Sequence, residues 1–395
     1  MPQGFGQPSS PSSLSPAKVI KASMLDEIKR MEDPRTKRKP LHLLVDIVTI
    51  AILATLCGAD TMEAVETYGN SKHEWLSTFL ELPYGIPSHD TFSRVFARLD
   101  PQAFEAFFLG WIEQITAKLS IKLIHIDGKT HRGSRDTQTG LKALHSVSAW
   151  ASEHHLVLAQ QRVNSKSNEI TAIPEVLEML SLDGTIITLD AMGTQTAIAE
   201  QIIAGGGDYI LALKANQDSL YQGVKHFFEE ALANDWQGIE YDYTSSTEAA
   251  HHRIEHRQTW VVPIEQVAHL TNREKWTGLR SIVMVRRKRI LQNKEEEEIQ
   301  FYISSMEADA SIIAQSIRCH WSIENSLHWV LDVTFKEDRS RIRKGHGPEN
   351  MGLLRRLCVS LIKQDSTKGS IKMKRYRAAL DNNYLLSLFM TDVTD

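Results

Sequence analysis

The sequence has little cysteine, no long apolar run and almost no excess charge, and each shortage narrows the choice of protein class. Its three cysteines, Cys57, Cys319 and Cys358, lie far apart and form no CxxC pair. A disulfide framework or a zinc knuckle is therefore not expected, and the usage fits a reducing compartment. The net charge is −4 over 395 residues, so bulk charge does not indicate a nucleic-acid-binding protein.

The most apolar stretch, residues 41–58, contains His42 and Asp46, and its longest uncharged run covers only 47–58. Such a run is too short to cross a bilayer, so it predicts a buried helix. The beginning of the chain is rich in Pro, Ser and Gly and lacks the basic start and apolar run of a signal peptide. We therefore predict a cytoplasmic protein with no membrane partner and a disordered tail over residues 1–17.

The remaining chain divides into four predicted parts. Apolar residues recur at helical spacing through 18–118, which predicts an N-terminal helical domain. Residues 119–215 follow the order β-β-β-α-β-α-β, which predicts a mixed sheet with helices packed on it. Residues 216–308 combine one helix with polar strand candidates in a predicted β-rich insertion, where the acidic block 295–298 is a turn or linker. Residues 309–395 begin with a long amphipathic helix that returns to the core and end in a basic, then helical, tail.

Two aspartates occupy the same position in two predicted strands. Asp127 ends the first strand of the predicted sheet, and Asp190 ends a later one. Because Asp-Gly is also a common turn dipeptide, either residue alone could be structural. If the two strands lie side by side, both carboxylates meet at one edge, where a hard divalent cation with oxygen ligands would offset their repulsion. The pair therefore predicts a metal site.

The long helix supplies a third acid, Glu324. His320 and His328 lie four residues before and after it and share its face. The alternatives to a role beside the two aspartates are a solvated helix face and a zinc site. The HExxH signature of zinc hydrolases is absent, which disfavours zinc.

Five segments of the sequence match the motifs of one family: GIPSHDTFSRVF, IDGKTHRGSRD, TLDAMGTQ, LALKANQ and HWSIENSLHWVLDVTFKED. They resemble ISAs-type insertion-sequence transposases, a group that includes the H-repeat-associated proteins and belongs to the DDE class. The resemblance runs from about Asp33 to Phe389. The resemblance implies an α/β, ribonuclease-H-like mixed sheet flanked by helices, in which two Asp and one Glu bind divalent metals. By motif these acids fall on Asp127, Asp190 and Glu324.

The chain departs from the wider superfamily around this glutamate, where a Tyr, an Arg and a Lys are expected in fixed register. At those positions this sequence has Ile317, His320 and Leu331. The nearby candidates to hold the phosphates of the transposon end instead are Arg318, His328 and Lys336. The competitors for the third acid are Asp332, Glu337 and Asp338. Glu324 is preferred because it alone lies mid-helix within a family motif.

Positive charge is concentrated near the C terminus. Residues 339–377 contain twelve Lys or Arg against Glu349 and Asp365, and RRKR at 286–289 forms a second basic block. Such blocks can be solvated surface, but beside an acidic triad they indicate double-stranded DNA as the partner. The further residues predicted to contact DNA are Lys129, Arg132, Lys214, Arg339, Arg341, Arg343 and Lys344.

The predicted function is a DNA transposase of an insertion sequence that acts at the nucleoid. Two Mg²⁺ (or Mn²⁺) ions held by the three acids would support endonuclease cleavage at the element ends, and the freed 3′ hydroxyl would attack target DNA. Because two ends must be joined, we expect a homodimer on the terminal inverted repeats. The alternatives are a domesticated, catalytically silent DNA-binding protein, a nuclease of the same fold without strand transfer, and a zinc hydrolase of small molecules.

Overall fold

The structure, a computed structural model, describes residues 15–20, 24–35, 40–117, 119–136, 140, 142–163, 168–250, 253–267, 269–291 and 294–390. Its α-helices are α1 (Pro16–Ile20), α2 (Asp26–Arg30), α3 (Leu44–Leu56), α4 (Met62–Ser71), α5 (His73–Leu76), α6 (His89–Phe96), α7 (Pro101–Thr116), α8 (Glu169–Glu178), α9 (Thr196–Ala204), α10 (Asp218–Ala233), α11 (Ala310–Ile323), α12 (Gly347–Gln364), α13 (Ile371–Leu380) and α14 (Asn382–Ser387). Its strands are β1 (Leu123–His131), β2 (Leu144–Ala151), β3 (Leu156–Arg162), β4 (Ile186–Leu189), β5 (Asp208–Leu213), β6 (Asp242–Ala250), β7 (Arg253–Pro263), β8 (Ser281–Leu291) and β9 (Lys294–Ser304).

Two compact units share these elements. The first combines the chain up to Lys118 with residues 334–336 and 342 onward, and the second combines 119–333 with 337–341. The sequence had placed all of 309–395 with the sheet, whereas α12, α13 and α14 pack among the N-terminal helices. The reason is that residues 350–362 of α12 are buried without interruption, against α3, α6 and α7. A helix that is buried all round needs neighbours on every side, and a helical unit supplies them.

The predicted helices of the first unit are present. The apolar run forms α3, whose residues 47–56 are all buried, and α7 begins at Pro101 with the Asp100 carboxylate accepting a hydrogen bond from the Gln102 amide. Burial raises the pKa of Asp46 in α3 to about 6, although the Leu82 amide donates to its Oδ2. Among the described helices, none has the length and apolar character needed to cross a membrane.

The second unit is built on one nine-stranded mixed sheet in the order β3-β2-β1-β4-β5-β9-β8-β7-β6. β1, β4 and β5 are parallel neighbours, and every other pairing is antiparallel. The apolar side of α11 packs on this sheet through Ile313 and Ile317, which join a buried cluster with Ile210, Val283 and Tyr302. The predicted fold class, a mixed sheet flanked by helices, is confirmed.

The strands β6 to β9 extend the sheet instead of forming a separate body, because β9 pairs with β5 from Ile210↔Ser304 to Leu213↔Phe301. The prediction that residues 295–298 are a turn or linker was wrong: they lie within β9, opposite the basic block of β8. Across the two strands, the ion pairs are Arg286–Glu297, Arg287–Glu298 and Lys288–Glu295. The RRKR block therefore has internal acidic partners, which the charge count alone could not show.

Candidate metal centre

The two aspartates lie side by side in the sheet. β1 and β4 run parallel, with Ile126 paired to Leu189, so Asp127 and Asp190 are the next residues in register. The sequence had placed Asp127 at the end of its strand, whereas in the structure this residue lies inside β1. β1 continues past Asp127 to His131 because β2 remains paired with it along that stretch. β4, the neighbour of β1 on its other side, ends beside Asp127. The Asp-Gly dipeptide is thus part of a strand and not a turn.

Gly128 leaves room for a neighbouring side chain. A Cβ at this position would lie 2.1 Å from Oε1 of Glu169, which is itself 2.5 Å from His145 Nε2. The His145–Glu169 pair therefore lies directly over the backbone next to Asp127. Sequence reasoning missed this pair, because β2 and α8 are brought to β1 only by the tertiary fold, and the lone signal was a glycine inside a strand pattern.

Glu324 begins a change in helix type. α11 ends at Ile323, and the chain continues as a π-helical segment, Glu324–His328, a distortion that is frequent at functional sites. One ligand atom each from Asp127, Glu324 and His328 lies within 4.8 Å of the others. His328 Nδ1 is 3.0 Å from Glu324 Oε2 and 3.6 Å from Asp127 Oδ2. The fold thus gathers two carboxylates and one imidazole at one point.

Asp190 is held by its own turn. Its Oδ1 accepts hydrogen bonds from the amides of Met192 and Gly193, at 3.0 and 3.1 Å. Among the described residues it is not part of the set within 4.8 Å, but it lines the same cleft of about 720 Å³ as Asp127 and Glu324. The exposed Lys214, which follows β5, lies in the wall of this cleft.

The electrostatics of the cleft favour a cation. Burial raises the pKa of Asp127 to about 6, and the negative charges of Asp190 and Glu169 add to this effect. The hydrogen bond with His328 lowers the pKa of Glu324. A half-buried carboxylate that is costly to ionise beside other acids is stabilised by a divalent cation. The donor set of two carboxylates and an imidazole, with a third carboxylate in the same cleft, therefore fits a divalent metal.

The other histidine of the predicted helix face is used differently. His320 Nδ1 is 2.7 Å from Thr188 Oγ1, and His125 contacts the same hydroxyl at 2.6 Å. Burial lowers the pKa of His125 to about 3 and that of His320 to about 4, so both rings are neutral at physiological pH. The helix therefore brings His328, and not His320, to Glu324 and Asp127. This arrangement differs from a zinc site in which both histidines would be ligands.

Several residues predicted to contact DNA have internal partners. Lys129 is buried, with its Nζ 2.7 Å from Asp332 Oδ1, and the Arg318 guanidinium is hydrogen-bonded to Glu248. Within the first unit, Lys336 Nζ is 2.8 Å from Asp60 Oδ2. Arg318 and Lys336 are exposed despite these partners, as are Arg132, Lys214, Arg339, Arg341 and Lys344, and Arg343 is half-buried.

The basic tail is also less available than its sequence suggests. Arg355, Arg356, Lys374 and Arg375 are buried. The Arg375 guanidinium donates to the Thr55 carbonyl and lies 4.1 Å from the centre of the Phe335 ring. Part of the positive charge counted in residues 339–377 thus serves the interior of the first unit.

Comparison with known proteins adds a family to this geometry. A model of the transposase DDE domain matches residues 119–361, and a model of the region associated with that domain matches 25–112. The chain is 38% identical over 372 residues to "Putative transposase YncI" of Escherichia coli O157:H7, which covers 92% of this chain and 93% of the relative. It is 37% identical over 372 residues to "H repeat-associated putative transposase YhhI" of Escherichia coli strain K12, covering 92% and 97%. It is 44% identical over 282 residues to "Uncharacterized protein in dhlA 3'region" of Xanthobacter autotrophicus, covering 70% and 92%.

Proposed function

The chain belongs to the family of transposases that carry a DDE domain, and we propose that it is the transposase of an insertion sequence. It would hydrolyse a phosphodiester bond at each end of the element and transfer the freed 3′ hydroxyl to target DNA. One observation carries this proposal: Asp127 in β1 and Asp190 directly after β4 are the next residues in the parallel register, and a ligand oxygen of Glu324 lies within 4.8 Å of one of Asp127.

In this proposal Asp127, Asp190 and Glu324 hold two divalent cations, Mg²⁺ or Mn²⁺. Bound there, the cations would promote attack by water or by a 3′ hydroxyl and stabilise the leaving oxygen. The chain's own residues position these carboxylates: the Met192 and Gly193 amides fix one oxygen of Asp190, and β2 pairs with β1 on both sides of Asp127. No nucleophilic side chain is needed, because water and a DNA hydroxyl are the attacking groups.

The DNA would reach this cleft along exposed positive charge. Lys214 lies in the cleft wall, and Arg132, Arg339 and Arg341 are exposed on the same unit. Phosphate contacts of this kind supply most of the affinity for DNA and make it depend on salt. We further propose a homodimer on double-stranded DNA, which pairs the two terminal inverted repeats, in the cytoplasm at the nucleoid.

The test uses the purified full chain, a duplex that carries the element end defined by inverted repeats in its genomic flanks, and Mg²⁺ or Mn²⁺. We expect nicking at the element boundary and joining of the end to a second, labelled duplex. Asp127→Asn and Asp190→Asn should remove both reactions and leave DNA binding intact, because amides replace the charges that hold the cation.

The matched control is Asp183→Asn, an exposed aspartate before the other end of β4, which should cleave like the unmodified protein. Nicking without joining would reduce the function to that of a nuclease. Binding without metal-dependent nicking would indicate a silent DNA-binding protein. Nicking that persists in Asp190→Asn would remove this residue from the site.

A further inference from the structure

We infer that His328 is a direct ligand of the divalent cation, which makes this centre a mixed imidazole and carboxylate site that favours Mn²⁺ over Mg²⁺. The inference deepens the proposed function and rests on it, since it concerns the same cleft. It begins from the position of His328, which the sequence offered as a phosphate contact or as part of a disfavoured zinc site. The side chain is 4% exposed, whereas Glu324, on the same π-helical segment, is 62% exposed.

The distances around Nδ1 match those between neighbouring ligands of one ion. Nδ1 is 3.0 Å from Glu324 Oε2 and 3.6 Å from Asp127 Oδ2. Two ligands that each lie about 2.1 Å from a cation, at right angles, are about 3 Å apart. A histidine that only oriented Glu324 would need a single carboxylate contact, but this nitrogen lies close to both acids.

The other ring nitrogen gives no alternative reason for this position. Nε2 of His328 is buried and has no hydrogen-bond partner among the described residues. No hydrogen bond on that side holds the ring in place among the described residues, and burying the unsatisfied nitrogen is unfavourable. The polar contacts that the structure shows for this ring are those of Nδ1 with Glu324 and Asp127.

The donor chemistry decides which metal the site prefers. Carboxylate oxygen suits Mg²⁺, Ca²⁺ and Mn²⁺, whereas imidazole nitrogen suits transition metals. Mg²⁺ keeps water and oxygen ligands and dehydrates reluctantly. A site with Asp127, Glu324 and His328 therefore gains more affinity for Mn²⁺ than for Mg²⁺ from its nitrogen ligand.

The experiment uses the full chain with Mn²⁺ alone and no DNA. Electron spin echo envelope modulation of bound Mn²⁺ should show the hyperfine coupling of a directly bound nitrogen. His328→Gln should remove that coupling and weaken Mn²⁺ binding by at least about tenfold, with a smaller loss for Mg²⁺ in competition titrations. His328→Asp, which makes an all-oxygen site, should also lack the coupling and should narrow the preference for Mn²⁺. The matched control, His226→Gln, changes an exposed histidine of α10 and should leave the spectrum unchanged.

The spectrum of the unmodified protein is decisive even if a variant fails to fold. Bound Mn²⁺ without nitrogen coupling, coupling that survives in His328→Gln, or no Mn²⁺ binding at all would overturn the inference. Equal losses for Mn²⁺ and Mg²⁺ would make His328 a positioning residue. The proposed function can fail independently of this inference. If bound Mn²⁺ shows nitrogen coupling in a protein that never nicks an element end, His328 is a metal ligand but the protein is not a transposase.

Discussion

Two regions of the same sheet concentrate charge, and they differ in how that charge is balanced. In β8 and β9 a basic block faces an acidic block, and side chains pair across the strands, as Arg286 does with Glu297 and Lys288 with Glu295. We call this region the charge ladder. At the cleft, Asp127, Asp190 and Glu324 gather with a buried histidine between two of them, and burial raises the pKa of Asp127.

This contrast indicates that pairing, and not local charge density, distinguishes the candidate metal centre from an array of structural ion pairs. The charge ladder is conspicuous in sequence and nearly neutral in the fold, and its exposed pairs each contribute little to stability. The cleft is inconspicuous in sequence, where its acids are nearly two hundred residues apart. Without a bound cation, the uncompensated negative charge of these acids is unfavourable for the folded protein. Groups whose pKa is perturbed in this way are frequent at functional sites.

The largest expected effect contrasts one glutamate from each region. Glu324→Gln should lower the rate of metal-dependent nicking by about a thousandfold or more, because the transition state loses a charge that holds the cation. Glu297→Gln, the same change in the charge ladder, should cleave within about twofold of the unmodified protein, since it removes an exposed pair. Both rates come from single-turnover assays on one duplex. Comparable losses of nicking rate in the two variants would contradict the distinction between the cleft and the charge ladder.

A buried ion pair near the cleft tests the same idea on stability. Lys129 lies two residues after Asp127, and its pair with Asp332 is 7% exposed on the lysine side, with the buried Glu337 4.0 Å away. Lys129→Met should lower the free energy of unfolding by about 3 to 5 kcal/mol, because the buried Glu337 and the half-buried Asp332 lose their cation. Urea unfolding measures the loss, and Arg286→Met in the charge ladder is the control, with less than about 1 kcal/mol expected. A small loss for Lys129→Met would show that Asp332 and Glu337 reach water.

The raised pKa of Asp127 predicts that replacing this residue increases the stability of the protein in a pH-dependent way. Its folded pKa, about 6, lies above its ordinary value of 3.8, so ionisation destabilises the folded state. This penalty is absent below about pH 4 and complete above about pH 6. With a chelator present, Asp127→Asn should therefore raise the free energy of unfolding above pH 6 by an amount on the order of 3 kcal/mol at most. The gain should disappear near pH 4, and a difference that does not vary with pH would contradict the assignment.

The sequence predicted those parts of the molecule that local pattern determines. Apolar periodicity was enough for the helices α3 and α7 and for the strands β1, β4 and β5, and matching positions in two strands were enough to associate Asp127 with Asp190. The parallel pairing that makes them neighbours did not follow from local pattern, because β2, β3 and α8 lie between β1 and β4 in the chain.

The remaining features depend on contacts between distant segments. Four successive glutamates have low strand propensity, and they join β9 only because the basic block of β8 faces them. The helical spacing of Glu324 and His328 shows that they share a face but not that the face meets Asp127. The placement of α12 among the first helices depends on burial all round, which a count of its basic residues hides.

The smallest expected effect concerns DNA binding by the charge ladder. Each phosphate neutralised adds about 0.9 to the slope of log affinity against log salt. Changing Arg339, Arg341, Arg343 and Lys344 to Ala should flatten that slope by roughly 2 to 4 units, without altering base-specific readout. Changing Arg286 and Lys288 to Ala should flatten it by less than about one unit, because their charges are already matched by Glu297 and Glu295. The slopes come from fluorescence anisotropy titrations across a salt series, on specific and unrelated duplexes. If the double variant lost as much slope as the quadruple one, Arg286 and Lys288 would exchange their glutamate partners for phosphates, and the path of DNA would run over β8.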